Sequence, residues 1–356
     1  MTSRRERSPR LNTSRIGLYS GSFLALDICE VALTDQILVA GGGGFIGGAV
    51  ADALLADGKD VRVVDQRPFD QWYRPVEGAD CRQLDLQLLD ACREAVEGCS
   101  QVYNFACDMG GMGFIELNKA LCMLSSLINT HLLVASRELG IERYFFASTA
   151  CVYRSDRQSD TQVIALREDM DVYPAMPEDG YGWEKLFAEH MCRHFEEDFG
   201  IQTRVARYHN VYGPHGTWRG GREKVPAAIC RKVATAVLTG DHEIEVWGDG
   251  EQVRSFTFID DAVVGTRMLM DSDVSDPLNI GSSEMVSINQ LIDLVAEHAG
   301  IAVTRRHDLS APQGVRGRNS DNTMIEKKLG WSPSTPLREG IAATYDWVFD
   351  ELKATG

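Results

Sequence analysis

Tyr181 and Lys185 stand four residues apart in the string YGWEK. In a helix that spacing sets a phenol and an ammonium on one face. A cation beside a phenol favours phenolate and moves its pKa down from about 10, which suits the tyrosine to take a hydroxyl proton. Upstream, the string STACVY follows a short apolar run, RYFFA, and places Thr149 two residues before Cys151. A strand-end hydroxyl can join the same proton path. A thiol, with a reference pKa of about 8.5, can act as acid or base once its surroundings tune it. Each feature alone is common: a Tyr–Lys pair is often a surface helix contact, and a cysteine after a strand is more often a small buried hydrophobe.

Groups of this kind need elements that hold them against a reactant, and the chain supplies these from Gln36 onward. QILVA fits a buried parallel strand. GGGGFIGGAVADALLADGKD follows, with Gly41, Gly44 and Gly47 in a G-x-x-G-x-x-G spacing. From Phe45 and Ile46 to Ala56 the apolar residues recur with helical period, and Gly58 is a plausible stop. VRVVD, the next strand, ends in Asp65, 18 residues after Gly47. Strand, glycine turn, helix, strand and terminal acid in this order predict a dinucleotide site. Glycines let a pyrophosphate approach the backbone, and the helix start offers free N–H groups. Asp65 would accept from a ribose 2′-OH and repel a 2′-phosphate, so the cofactor expected is NAD rather than NADP, with Arg67 close enough to modify that preference. CRQLDL, QVYNFA and RYFFA continue the alternation; Asp85 is placed to meet the adenine, and Ile115–Leu139 reads as one long helix. The fold class expected is α/β, a Rossmann-like doubly wound parallel sheet with a smaller C-terminal substrate-binding α/β region.

The domains expected are an N-terminal extension over 1–35, a dinucleotide-binding domain over 36–207 and a substrate region over 208–356, interleaved with the sheet around 250–280. The extension opens MTSRRERSPR, basic and polar, with no clean export signal. The 356 residues carry 36 Lys and Arg against 52 Asp and Glu, a net charge of −16, which argues against a nucleic-acid or anionic-membrane partner. No run approaches the roughly 18 apolar residues of a membrane span. Nine cysteines without a C-x-x-C pair or a metal spacing read as reduced cytoplasmic thiols, and no metal is expected.

With these residues assembled, the chain resembles the extended short-chain dehydrogenase/reductase family that acts on nucleotide sugars. The resemblance covers most of the chain from about residue 36 and rests on long strings: DMGGMGFI (108–115), HNVYGPHGTWRGGREKVPAAICRK (209–232), SFTFID (255–260), NIGSSEMVS (279–287) and GVRGRNSDN (314–322). It is most similar to members that epimerise GDP-mannose at ring positions 3 and 5 through a 4-keto intermediate. That resemblance implies that Tyr181, assisted by Lys185 and Thr149, removes the hydroxyl proton at position 4, and that Cys151 and Lys224 form the acid/base pair. It further implies substrate contacts at Gly110, Thr149, Cys151, Asn210, Glu223, Lys224, Gln252, Arg254 and Arg318, and a homodimer paired through helices near 115–139 and 181–199. Departures are Trp183, Thr149 where relatives carry Ser, Cys107 before DMGG, and the basic N-terminus. Cys107 and the remaining cysteines read as packing, and His209 and His215 as structural. A single-centre epimerase and a non-catalytic protein of the same fold stand as alternatives; a 4,6-dehydratase is disfavoured because Ala150-Cys151 replaces the carboxylate pair it would need.

Overall fold

The computed structural model describes residues 35–311 and 314–355. The expected N-terminal extension therefore lies outside the described residues, save its last position. QILVA forms β1 (Gln36–Ala40), and side chains from Ile37 onward are at most 5% exposed because both faces of the strand are covered. Leu38 enters one apolar cluster with Val64, Val102, Tyr144 and Phe146, while Val39 enters another with Val50, Val63 and Phe145. That alternation is the strand period, and it places a core on each face of the sheet.

Helix α1 (Phe45–Ala56) begins at Gly44 and ends at Asp57, with Gly58 next at φ +74°. Strands β2 (Val61–Asp65), β3 (Asp80–Gln83), β4 (Cys99–Asn104), β5 (Arg143–Thr149) and β6 (Gln202–Tyr208) follow. With Leu278–Ile280 they form a seven-stranded sheet in the order Leu278–Ile280, β6, β5, β4, β1, β2, β3. Every pairing is parallel. This is the expected doubly wound α/β sheet, and the strand order reverses between β1 and β4. In such sheets the crevice beyond the strand carboxyl ends at that reversal holds the ligand. The glycine turn, Asp65, Asn104 and Thr149 all stand at that edge.

Ile115–Leu139 is not one helix. It breaks into α3 (Met112–Leu117), α4 (Lys119–Met123) and α5 (Ser125–Glu138) after the short helix α2 (Leu89–Val96). Asn118, at φ −130° and ψ 40°, leaves the helical region, and its side-chain amide donates to Phe114 O at 2.9 Å. A short polar side chain competing for backbone carbonyls ends a helix in this way. The remaining stretch, Lys119–Glu138, is 20 residues long with a mean hydropathy of 1.2 in its most apolar part, long and apolar enough by composition to cross a membrane. Here Ile128, Leu132 and Leu133 bury its inner face against β4 and β5, as a core helix does.

Helix α6 (Asp179–Phe199) carries the Tyr–Lys pair and packs on α4 and α5. Beyond β6, helix α7 (Val225–Thr239), α9 (Ile288–Ala299) and the helix Leu337–Thr355 share a separate apolar cluster with Ile244 and Val246. Between them, α8 (Ile259–Asp271) and Leu278–Ile280 return to the main sheet.

Candidate active site

Strand β5 ends in Thr149, whose hydroxyl accepts a hydrogen bond from the Cys151 backbone N–H at 3.3 Å and caps a tight turn over Ala150–Val152. Helix α6 lies directly against that turn. A Cβ at Gly182 would sit 2.4 Å from Cys151 O, so glycine is what lets the helix dock so closely. Glu178 N–H, just before α6, donates to the same Cys151 carbonyl at 2.9 Å. Two elements distant in sequence are thereby joined, and Tyr181 is brought close to Thr149.

Tyr181 is 5% exposed and Lys185 2% exposed. The Lys185 ammonium sits 4.7 Å from the centre of the Phe146 ring, 5.8 Å from that of Tyr181, and 3.8 Å from the Glu184 carboxylate. Burial lowers the proton affinity of Lys185, while Cys107 and Glu184 beside it raise it, and the balance holds it as an ammonium. The expectation that this ammonium lowers the phenol is corrected. Burial, with Cys107, Cys151 and Glu184 nearby, pushes Tyr181 well above its ordinary value, against the Thr149 hydrogen bond. The lysine is spent on Cys107 and Glu184 instead. Cys107, expected to be mere packing, lies beside Lys185 and near Lys224 as well.

Lys224 reaches this place through two loops. The Gly111 N–H donates to Arg222 O at 3.0 Å, and a Cβ at Gly111 would meet Glu223 O at 2.5 Å. Arg222 also pairs with Asp108 at 3.2 Å and lies 3.9 Å over the Phe114 ring. The loop holding buried Gly110 is thus locked to the loop that delivers Lys224 to the N-cap of α7. Burial lowers Lys224, while Cys151 and Cys107 oppose that shift. Burial, and then Glu178, pushes Cys151 up, against Arg318 and the Thr149 hydrogen bond. Burial thus favours the thiol at Cys151 and weakens the hold of Lys224 on its proton, the directions that suit a proton donor and an acceptor.

Of the expected sugar-nucleotide contacts, Arg318 reaches the thiol itself. Its Nη1–H donates to Cys151 Sγ at 3.5 Å, its Nε–H to Gln158 Oε1 at 2.6 Å, and its Nη2–H to Glu178. Three of five guanidinium N–H groups are occupied, which leaves two for a ligand. Arg254 donates to Val253 O and Val315 O; burial and neighbouring Arg318 push it down to about 10. Gln252 is buried with its Oε1 unpartnered, and Asn210, at φ +43°, donates to Ser255 O at 3.1 Å. Glu223 instead accepts from Arg231 at 3.0 Å and from Gly221 N–H at 2.7 Å, so its side chain holds the loop. His209 is buried and His215 exposed.

The glycine turn occupies the other side of the crevice. Gly41, at φ +79°, has backbone atoms of Ala106 within 2.8 Å of where a Cβ would be, and a Cβ at Gly47 would meet Gly41 O at 2.5 Å. Gly44 caps α1 without a side-chain hydrogen bond, leaving the first N–H groups, at Phe45 and Ile46, directed outward. Asp65, 6% exposed, receives Arg67 N–H and Nε–H at 3.0 Å and Nη2–H at 2.8 Å. A carboxylate has about four lone-pair directions, so room remains for a ribose hydroxyl. Asp85 lies exposed beyond β3, accepting from Gln87 N–H at 3.0 Å. From β5 to β2 is three strand spacings, roughly 14 Å in all, a span suited to a dinucleotide. A cradle with no room for a Cβ, a bare helix start and a strand-end acid fit NAD.

Sequence reasoning missed Glu178, Gln158, Asp108 and Arg222. Glu178 reads in the sequence as an ordinary acid at a helix start, and its position three residues before Tyr181 is the one local sign of its place. The others meet the site through loops that close over long sequence distances.

A doubly wound sheet with a dinucleotide cradle and a Thr–Tyr–Lys set defines a class. The chain belongs to the NAD dependent epimerase/dehydratase family, whose model matches residues 37–281. It is 43% identical over 319 residues to the GDP-mannose 3,5-epimerase 1 of Oryza sativa subsp. japonica, covering 89% of this chain and 82% of that one. Among solved structures it is similar to the UDP-glucose 4-epimerase of Thermotoga maritima, with TM-score 0.80, 25% identity, and 89% of this chain and 99% of that one covered. It is also similar to the UDP-glucuronic acid 4-epimerase of Bacillus cereus in complex with UDP-glucuronic acid and NAD, with TM-score 0.75, 25% identity, and 89% and 99% covered.

Proposed function

We propose that this protein epimerises GDP-mannose at ring positions 3 and 5, giving GDP-L-galactose, GDP-L-gulose or both. The observation that carries this reading is the joining of two proton-transfer sets: Thr149, Tyr181 and Lys185 on one side, Cys151 and Lys224 on the other. A carbon-bound sugar proton is too weakly acidic for direct removal. Bound NAD supplies a reversible hydride acceptor for position 4 of the sugar. Tyr181, beside Thr149 and Lys185, would take the hydroxyl proton there as phenolate, the form that the cationic nicotinamide of bound NAD would favour. The ketone so formed acidifies the C–H bonds at positions 3 and 5, since the carbanion left behind is an enolate. Inversion then needs an acceptor on one face and a donor on the other, which Lys224 and Cys151 provide. Tyr181 returns its proton as the ketone is reduced again. Arg254 and Arg318 form a locally cationic patch in an acidic chain, suited to a diphosphate.

Around the phosphates, Gly41, Gly44 and Gly47 with the N–H groups of Phe45 and Ile46 would hold NAD; Asp65 would hold the ribose near the adenine. A homodimer is part of the proposal. Leu124 just before α5, Leu127 on α5, and Trp183 and Phe187 on α6 are exposed, Phe187 by 55%, and the two helices pack side by side. Such a face on a second copy would bury them. A cytoplasmic site agrees with eight free thiols among the described residues. The test is incubation of the pure protein with GDP-mannose in deuterated water. Label at positions 3 and 5 is expected by NMR. Absence of label at both sinks the proposal, and label at one position alone makes the protein a single-centre epimerase.

A further inference from the structure

Glu178 has no part in the scheme above, yet it touches the reacting thiol from two directions. It is the N-cap residue of α6, but its side chain makes no cap hydrogen bond. Its backbone N–H goes to Cys151 O at 2.9 Å, and its carboxylate turns to Arg318, the residue that donates to Cys151 Sγ at 3.5 Å. Both charged side chains are nearly out of water, at 6% exposure for Arg318 and 13% for Glu178. Gln158 holds the third side of the guanidinium at 2.6 Å, so the ion pair cannot swing freely. Glu178 Oε2 is buried without a hydrogen-bond partner.

The groups that face Cys151 come from five elements. Thr149 lies on β5 and Tyr181 on α6, and both are neutral. Lys224 at the start of α7, Arg254 on Val253–Ser255 and Arg318 on Gly317–Arg318 are cationic or partly so. Against these three stands one carboxylate, Glu178. Cations around a thiol favour thiolate, and a thiolate has no proton to give. A site whose cations are needed to bind a diphosphate must offset them at the sulfur.

We propose that Glu178 is a positioning residue for Cys151: paired with Arg318 beside the sulfur, it keeps the side chain in the thiol form a proton donor requires. The consequence for turnover rests on the proposed reaction, but the state of the thiol does not. Removing a charge that lies within about 4–6 Å moves a neighbour's titration by about one to three pH units.

The test is the pH dependence of Cys151 alkylation by iodoacetamide in the full chain with NAD present, followed on the Cys151 peptide by mass spectrometry. Glu178→Gln keeps the shape and an acceptor for Arg318 but removes the charge. Its alkylation midpoint should fall by about one pH unit or more, equal to a tenfold or greater gain in thiolate at pH values below both midpoints. Glu178→Asp keeps the charge and should stay near the wild-type midpoint. An unmoved midpoint in Glu178→Gln, or an equal shift in Glu178→Asp, overturns the proposal, since a purely structural residue would change the rate without displacing the midpoint selectively. Should Glu178→Gln not fold, Arg318→Gln with Glu178 intact must raise the midpoint, and a fall there is equally fatal. With GDP-mannose as substrate, the pH profile of kcat in Glu178→Gln should shift in the same direction. Failure of wild type to turn over GDP-mannose removes the proposed reaction and leaves the alkylation result to decide the role of Glu178.

Discussion

At Asp65 the choice between two cofactors comes down to one carboxylate shared between a ribose hydroxyl and Arg67. Removing it loses a charge-assisted hydrogen bond of about 1.5–3 kcal/mol and frees the guanidinium to attract a 2′-phosphate. Asp65→Ala should therefore weaken NAD by roughly tenfold to a hundredfold and NADP by much less, as read by calorimetric titration. Equal losses would remove Asp65 from the ribose. At Tyr181 the proposed base is a buried phenol beside Thr149. Tyr181→Phe should keep the fold yet leave no deuterium exchange at positions 3 and 5, since no ketone forms to acidify them. Exchange at the wild-type rate in that variant would assign the hydroxyl proton to another group. The Tyr–Lys pair was legible in the sequence because its spacing is local. Its electrostatics were not: Lys185 spends its charge on Cys107 and Glu184, and Cys107 comes from a different loop.

The elements that carry these residues are held by a buried polar network as well as by apolar packing. Arg207 on β6 pairs with Glu189 on α6 at 2.7 Å, and Ser148 on β5 donates to the same carboxylate at 2.5 Å. Tyr153, two residues past Cys151, donates to Asn279 at 2.6 Å, and His209 donates to the same Asn279 oxygen at 3.0 Å. His209 is fully buried with Nδ1 unpartnered. Burial lowers it to about 3, with the Asn279 hydrogen bond opposing. In an unfolded chain the reference value is about 6.5, so between about pH 6.5 and 3 the unfolded state binds the extra proton. The contribution of neutral His209 is thus full above about pH 6.5 and should be lost at about 1.4 kcal/mol per pH unit as acid is added. Denaturant titrations of wild type and His209→Gln across that window should show the shallower slope in the variant. Equal slopes would contradict the assignment. Strands β1 to β5 and helix α1 were readable from apolar period and a glycine stop. The break at Asn118 was not, because it depends on one side-chain amide finding Phe114 O rather than on a lost period.

On the scale of the whole molecule, the sheet edge, the loop pair 108–113 and 220–224, and the strand carrying Arg318 meet around one thiol. The strings that placed these residues in the sequence did so through resemblance; no local pattern announces that Gly111 and Glu223 touch. The same scale holds the α5–α6 face. Sedimentation at micromolar concentration should give twice the chain mass for wild type and a monomer for the Trp183→Glu, Phe187→Glu double variant. A monomeric wild type would remove the dimer.

Whether Cys151 moves protons or merely fills space decides the proposed chemistry. The most direct measurement is the rate of epimer formation from GDP-mannose by Cys151→Ala, beside its affinities for NAD and GDP-mannose. Loss of an acid/base group costs about 10²–10⁴ in rate, so epimer formation should fall by that much while both affinities stay near wild type. Epimer formation at near wild-type rate in Cys151→Ala would contradict the account, and the thiol beside Arg318 would be core filling.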